Sequence, residues 1–185
     1  MVGRLVAVVG PSGAGKDTLL SAARAALESD PRFVFARRAI TRPAETLRHA
    51  GAEAHIPFSE AAFIAARDAG EFALHWQAHG LHYGIPRAIE RDIERGRLVV
   101  ANLSRGALVE VPAAYRLRVM MISAPPAVLA ARIAGRGRES SAEIARRLER
   151  AASLPPGLEV EEIRNDTTPE EGAARLLGAL RALAG

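Results

Sequence analysis

The chain has no cysteine, one tryptophan, aromatic residues at only 4% and a single lysine among its 25 basic residues. Without cysteine there can be no disulfide and no thiolate metal site, and the chain fits a reducing compartment. With so few rings, the core must be assembled from Ala, Val, Leu and Ile, which the 49% apolar composition supplies. No apolar run approaches the ~18 residues of a membrane-spanning helix. Met1 leads at once into a short apolar strand without a cleavable signal pattern. These features predict a soluble cytoplasmic protein with no membrane partner. A length of 185 residues suits one domain, 1–185, with room for a mobile sub-region. The net charge of +4 is modest, and the arginines are scattered without a basic stripe interleaved with aromatics, which argues against nucleic acid as a partner.

The single lysine, Lys16, lies in Gly10-Pro11-Ser12-Gly13-Ala14-Gly15-Lys16-Asp17-Thr18. An apolar run, Arg4 to Val9, precedes this stretch, and an Ala/Leu-rich helical pattern, Thr18 to Leu27, follows it. Strand, GxxxxGK and helix in that order predict a phosphate-binding loop, in which the backbone N–H groups of Ser12 to Lys16 converge on a phosphate at a helix N-terminus. Lysine is a compact charge on a slim stem, suited to reach the outer oxygens of a phosphate from a tightly wrapped loop. Gly10, Pro11, Ser12, Gly13, Ala14, Gly15, Lys16, Asp17 and Thr18 are therefore the candidate binding residues for ATP, with Lys16 also a candidate catalytic residue. Asp17 stands where the pattern calls for a hydroxyl on Mg²⁺. Its carboxylate is an oxygen ligand suited to that ion, directly or through water; alternatively it is an acid favoured by the helix dipole.

Further buried-strand candidates are Phe33 to Arg37, Leu98 to Leu103, Leu117 to Ser123 and Leu158 to Ile163. Helical patterns lie between them: Ser59 to Asp68, Pro86 to Arg95 with Pro86 in the first turn, Pro126 to Ala134, Ser141 to Ala152 and Pro169 to Leu183. Such alternation predicts an α/β fold, a parallel sheet with helices on both faces.

Two stretches do not read as core. Residues 41–85 hold all five histidines, the tryptophan and one of the two tyrosines, and are expected to be an acceptor-binding insertion. Arg37, Arg38 and Arg42 fall near the end of a predicted strand, where ligands of open α/β sheets sit, and Arg is the natural bidentate partner for phosphate. Zinc is not expected, because the histidine spacing matches no usual ligand set. The second stretch is 135–140, with glycines at 135 and 137; the lid expected around it, about 132–147, carries Arg132, Arg136, Arg138, Arg146 and Arg147. This basic lid is expected to bring cations to a transferring phosphoryl group. A solvated helix face laced by Glu139, Glu143 and Glu149 is the plainer alternative.

Taken together these residues resemble the guanylate-kinase branch of P-loop kinases across nearly the whole chain. The resemblance rests on GPSGAGK, the TRP at 41–43, GEF at 70–72, HGxxYG at 79–84, RxxxRxRE at 132–139 with the RRL after it, and Asn165-Asp166, all in the right order. It implies the nucleoside-monophosphate-kinase-like fold. Departures are coherent. The guanine-reading Ser of that family aligns with Arg38, its guanine-reading Glu with Leu74, and its base-contacting Ser or Thr with Ile85. Glu45 replaces a phosphate-binding Arg, and the acidic pair of the third core strand reads Ala101-Asn102-Leu103.

A base-binding pocket has been rewritten while the loop and lid persist. In these variants, RRxITRP, Glu53-Ala54-His55, FALxWxAHGLxYGIP and NxSR at 102–105, the chain resembles the guanylate-kinase-like ribose 1,5-bisphosphate phosphokinase family of phosphonate catabolism, in which Asp after the lysine is usual. That resemblance implies transfer of the ATP γ-phosphoryl group to the 1-phosphate of a phosphorylated sugar, with Mg²⁺. Arg132, Arg136, Arg138 and Arg147 are then the catalytic candidates beside Lys16. Arg38, Arg42, Glu53, His55, His79 and Tyr83 are the acceptor-binding candidates, Asp17 is the metal candidate, and Leu74 and Ile85 would wall the space where guanine sits. Guanylate kinase, and a silent guanylate-kinase-like binding module, are the competing readings. Oligomeric state is left open, a homodimer included.

Overall fold

The computed structural model describes residues 3–42, 55–134 and 154–185. Its centre is a five-stranded parallel sheet in the order β2-β7-β1-β8-β9: β1 is Arg4–Val9, β2 Phe33–Phe35, β7 Leu98–Asn102, β8 Arg118–Ser123 and β9 Val160–Arg164. β1, β2, β7 and β8 are apolar runs read from sequence, each within a few residues at its ends; β9 falls where a buried strand was expected, but it is an edge strand in which only Ile163 is buried. Alternation along the central strands divides the core. Val6, Val8, Leu98, Val100, Met120 and Ile122 face one side, where they pack against helices α1 (Lys16–Ala26) and α5 (Pro169–Ala184) through Leu19, Ala23, Leu176 and Leu180. Leu129 of helix α4 (Pro126–Ala134) joins the same cluster.

Leu5, Ala7, Val9, Val99, Ala101 and Val119 face the other side. Covering them are Ile89 of the short helix α3 (Ile89–Glu94), Leu108 and Tyr115 of two 3-10 turns, and the side chains of Leu74 and Ile85. The Tyr115 hydroxyl donates to Glu90 Oε1 at 2.6 Å, and burial with this bond raises the phenol above its ordinary pKa.

Leu74 and Ile85 come from a second, four-stranded sheet in the order β4-β3-β6-β5, formed by β3 (Ala39–Ile40), β4 (Ile56–Pro57), β5 (Phe72–Ala78) and β6 (Leu81–Pro86). The predicted insertion therefore has a sheet of its own, and it starts at Ala39. Helix α2 (Glu60–Asp68), capped by Ser59 Oγ accepting from the Ala62 N–H at 3.2 Å, covers one face through Phe63, which stacks on Phe72. On the opposite face the cross-strand pair Leu74–Ile85 docks the insertion on the main sheet, and such burial is worth about 1.5–3 kcal/mol per side chain.

Pro86 departs from expectation. It closes β6 opposite Phe72, and the helix begins only at Ile89; the missing N–H of proline is tolerated at a strand end as it is at a helix start. The helix expected over 141–152 and most of the expected lid, 135–147, lie outside the described residues. No helix among the described residues is long and apolar enough to cross a membrane.

Candidate active site

The loop after β1 runs over the carboxyl ends of the central strands, at the point where the chain crosses from one side of β1 to the other, the usual ligand position of an open α/β sheet. Gly15 caps α1 with φ 87°, and a Cβ there would meet Asn165 Nδ2 at 2.5 Å. Glycine is therefore required at this position for conformation and for space. The contact is with the clasp that holds the loop. Asn165, buried to 3% exposure just after β9, donates from Nδ2 to the Ala14 carbonyl at 2.7 Å. Its own N–H donates to the Ser123 carbonyl at 2.8 Å, and its carbonyl accepts from Arg132 Nη1 at 2.9 Å.

Lys16 Nζ donates to the Gly10 and Pro11 carbonyls at 2.8 and 3.0 Å, closing the loop on itself. Asp17 is partly exposed in the first turn of α1. Asn102, buried at the end of β7, donates from Nδ2 to its Oδ1 at 3.0 Å. The acid that the strand end lacks is thus presented from the helix and oriented by the amide in its place. Thr18 is exposed one residue on. Two residues after Asn102 the Ser104 hydroxyl accepts from the Ala107 N–H and starts a turn that carries Arg105, whose guanidinium burial pushes below its ordinary pKa.

The insertion adds a layered stack. Arg38 lies over the Tyr83 ring at 5.6 Å, and Tyr83 stacks on Trp76 at 5.4 Å with planes 9° apart. A cation on an aromatic face is held by the ring quadrupole. This stack shares its sheet face with Leu74 and Ile85, so docking brings it to the same sheet end as the loop; Val9, Ala101 and Leu103 are in the docking cluster.

The candidates divide as follows. Gly10 to Thr18 form the loop and helix start, while Arg38 and Tyr83 meet in the stack. Arg42 is exposed beside it in sequence. Arg132 is present at the end of α4, but it braces the Asn165 backbone. His55 is buried to 3%, with Nε2 3.4 Å from the Arg42 carbonyl and its own carbonyl accepting from Arg37, so in this structure it supports Arg42 and is not open to a sugar. His79 is likewise not brought to the cluster. It is exposed at the tip of the β5–β6 hairpin with φ 51°, followed by Gly80 at φ 72°, a two-residue turn with both central residues left-handed. Leu74 and Ile85, at 4% and 0% exposure, fill the contact with the main sheet and do not wall an open pocket. Glu53, Arg136, Arg138, Arg146 and Arg147 lie outside the described residues.

Asn102, Arg105, Trp76 and the clasp role of Asn165 were not among the candidates. The tryptophan had a sequence signal: Leu74 and Trp76, then Leu81, Tyr83 and Ile85, alternate with polar residues on either side of His79-Gly80.

Fold and site together define a P-loop kinase. A crystal structure of guanylate kinase from Anaplasma phagocytophilum superimposes with a TM-score of 0.67 at 20% identity, over 98% of this chain and 86% of that one. A gluconokinase from Sinorhizobium meliloti 1021 gives 0.53 at 18% identity, over 99% of this chain and 94% of that one. No family model matches the chain. Among curated proteins, a ribose 1,5-bisphosphate phosphokinase from Methylobacterium radiotolerans is 46% identical over 98% of this chain and 99% of its own length. One from Acidiphilium cryptum is 48% identical over 96% and 92%. A bifunctional ribose 1,5-bisphosphokinase-thymidine phosphorylase from Cupriavidus necator is 48% identical over 94% of this chain, which spans 28% of that longer protein. The chain belongs to the ribose 1,5-bisphosphate phosphokinase family.

Replacing Lys16 by alanine removes the one ammonium of the loop and leaves the buried core untouched. Lys16→Ala is expected to lower phosphoryl-transfer turnover by at least ~100-fold with the far-UV circular dichroism spectrum unchanged. Turnover near that of the parent would show that the loop is not the donor site.

Proposed function

We infer that this protein, like the relatives so named, is an ATP-dependent ribose 1,5-bisphosphate phosphokinase, that it forms 5-phospho-α-D-ribose 1-diphosphate, and that it serves phosphonate degradation. Family membership carries the reading. The Leu74–Ile85 pair supports it, because two buried aliphatic side chains cannot hydrogen-bond a purine edge, and a site that reads such an edge needs donors and acceptors there.

The chemistry needs little from the protein beyond position and charge. A phosphate monoester has a second pKa of about 6, so the acceptor 1-phosphate is already a dianion at neutral pH and no side chain has to remove a proton. One of its oxygens forms a bond to the γ-phosphorus, the bond from that phosphorus to the β–γ bridging oxygen breaks, and ADP leaves with the electron pair. Lys16 turns from the Gly10 and Pro11 carbonyls to the outer phosphate oxygens, and the loop N–H groups hold the donor still. Arg38, fixed on Tyr83, and Arg42, held at its carbonyl by His55, receive the acceptor phosphates. Arg136, Arg138 and Arg147 contribute cations from the lid segment, while Arg132 positions Asn165. Glu53 and His79 complete the proposed acceptor set.

The oxygen donors at the loop suit Mg²⁺: Asp17 would hold it, with Asn102 fixing the carboxylate. Bound there, the ion would neutralise charge developing on the phosphate oxygens. Asp17→Asn is expected to raise the Mg²⁺ concentration for half-maximal rate at least ~tenfold, and an unchanged titration would reduce Asp17 to a helix-terminus acid.

A phosphorus NMR time course with MgATP, offered ribose 1,5-bisphosphate and GMP in parallel, tests the assignment. New diphosphate resonances with the sugar alone are expected. GDP formation would overturn the substrate, and silence with both would remove the acceptor assignment altogether.

A further inference from the structure

All five strands of the main sheet are parallel, so they share one starting edge, at the end opposite the phosphate loop. Four of the five begin with arginine or directly after it. In spatial order these are Arg32 before β2, Arg97 before β7, Arg4 opening β1 and Arg118 opening β8, with Arg116 two residues earlier on the β8 line. The β1–β8 pairing begins at Val6 and Arg118; Arg4 and Arg116 each lie two residues before it, and both line one groove. The flanks of this row are neutralised: Arg32 by Asp30 at 2.8 Å, Arg97 by Asp92 at 3.3 Å, and Arg118 by Glu159 at 2.6 Å with Glu161 at 3.6 Å.

The middle is not. Neither Arg4 nor Arg116 has a side-chain hydrogen bond or ion pair among the described residues. The Nε groups of Arg4 and Arg118 are shut off from water with no acceptor, a state in which a donor has lost its hydration and gained nothing. Arg116 moreover takes φ 48°, a left-handed conformation that a non-glycine residue adopts only at a cost, and such outliers concentrate at ligand clamps. Between these arginines lies a groove of about 430 Å³ lined by Arg4, Arg116, Leu117, Gly157, Leu158 and Glu159. That volume is within the range of small-ligand sites.

We propose that this groove is a second anion site, taking a small phosphate-bearing ligand between the Arg4 and Arg116 guanidinium groups. Two uncompensated cations match the charge of a phosphate dianion, and planar guanidinium forks suit its oxygens. Glu159 is already engaged by Arg118, which leaves Arg4 and Arg116 for the ligand. The site lies at the far end of β1 from the phosphate loop and is independent of the proposed reaction.

The test counts binding equivalents by isothermal titration without nucleotide or metal, in a Lys16→Ala background that silences the phosphate loop. Inorganic diphosphate and ribose 5-phosphate are titrated separately, to distinguish a free inorganic ligand from a sugar phosphate. The Lys16→Ala protein is expected to lose one equivalent of whichever ligand binds when Arg116→Gly or Arg4→Gln is added. Glycine adopts the left-handed conformation freely, so Arg116→Gly should melt no lower than its parent without ligand, separating lost binding from lost fold. Equal stoichiometry in the three proteins overturns the proposal, as does sulfate binding indistinguishably from both phosphates at matched ionic strength.

Discussion

One side-chain amide ties the chain together. The Asn165 Nδ2 bond to the Ala14 carbonyl crosses almost the whole sequence, from the end of the last strand to the centre of the phosphate loop. Space for it is made on two sides by glycine: a Cβ at Gly15 would meet Nδ2 at 2.5 Å, and one at Gly172 in α5 would meet Oδ1 at 2.4 Å. Because Nδ2 faces a carbonyl, the amide has only one sensible orientation, and Oδ1 is left buried without a hydrogen-bond partner against the helix. A buried amide held so tightly is a poor contributor to stability but a good locator. It fixes where the loop lies relative to β8, β9, α4 and α5, through the Ser123 carbonyl and Arg132. Arg164 holds the neighbouring Asp166 carboxyl below its ordinary pKa, with Arg175 paired to the same group.

Against that fixed loop, the insertion is a docked module. Its own helix and aromatic cluster hold it together from one face, and Leu74 with Ile85 join it to the main sheet from the other. Aliphatic side chains at those two positions serve adhesion, buried against the main sheet. The same face carries Trp76, Tyr83 and Arg38, a stack in which the guanidinium lies over the Tyr83 ring.

The three central strands of the main sheet were legible because they are buried on both faces and therefore read as nearly unbroken apolar runs, whereas the edge strand β9 mixes Val and Ile with Glu and Arg. The loop was legible because glycine, lysine and their spacing are dictated by phosphate geometry. The small sheet was not, since Ala39–Ile40 and Ile56–Pro57 are two-residue strands with no period to detect. The hairpin had its alternation, but His79 takes a left-handed turn position more often given to Asn or Asp, and its ring suggested a ligand contact instead. Asn102 and Asn165 act across 85 and 151 residues of sequence. Neutral amides leave no charge pattern, and their partners are set by the tertiary fold alone.

The decisive quantity is how far Asn165 holds the loop in shape before any ligand arrives. Amide hydrogen exchange of the ligand-free protein, with and without Asn165→Ala, measures it at one loop amide, Ala14 bonded to the Pro11 carbonyl, and one amide of the first turn of α1, Leu19 bonded to the Gly15 carbonyl. The clasp predicts exchange at both at least ~tenfold faster in the variant, with Val6 and Val8 of β1 unchanged, as expected of a local opening. Equal rates at Ala14 and Leu19 in the two proteins would contradict it.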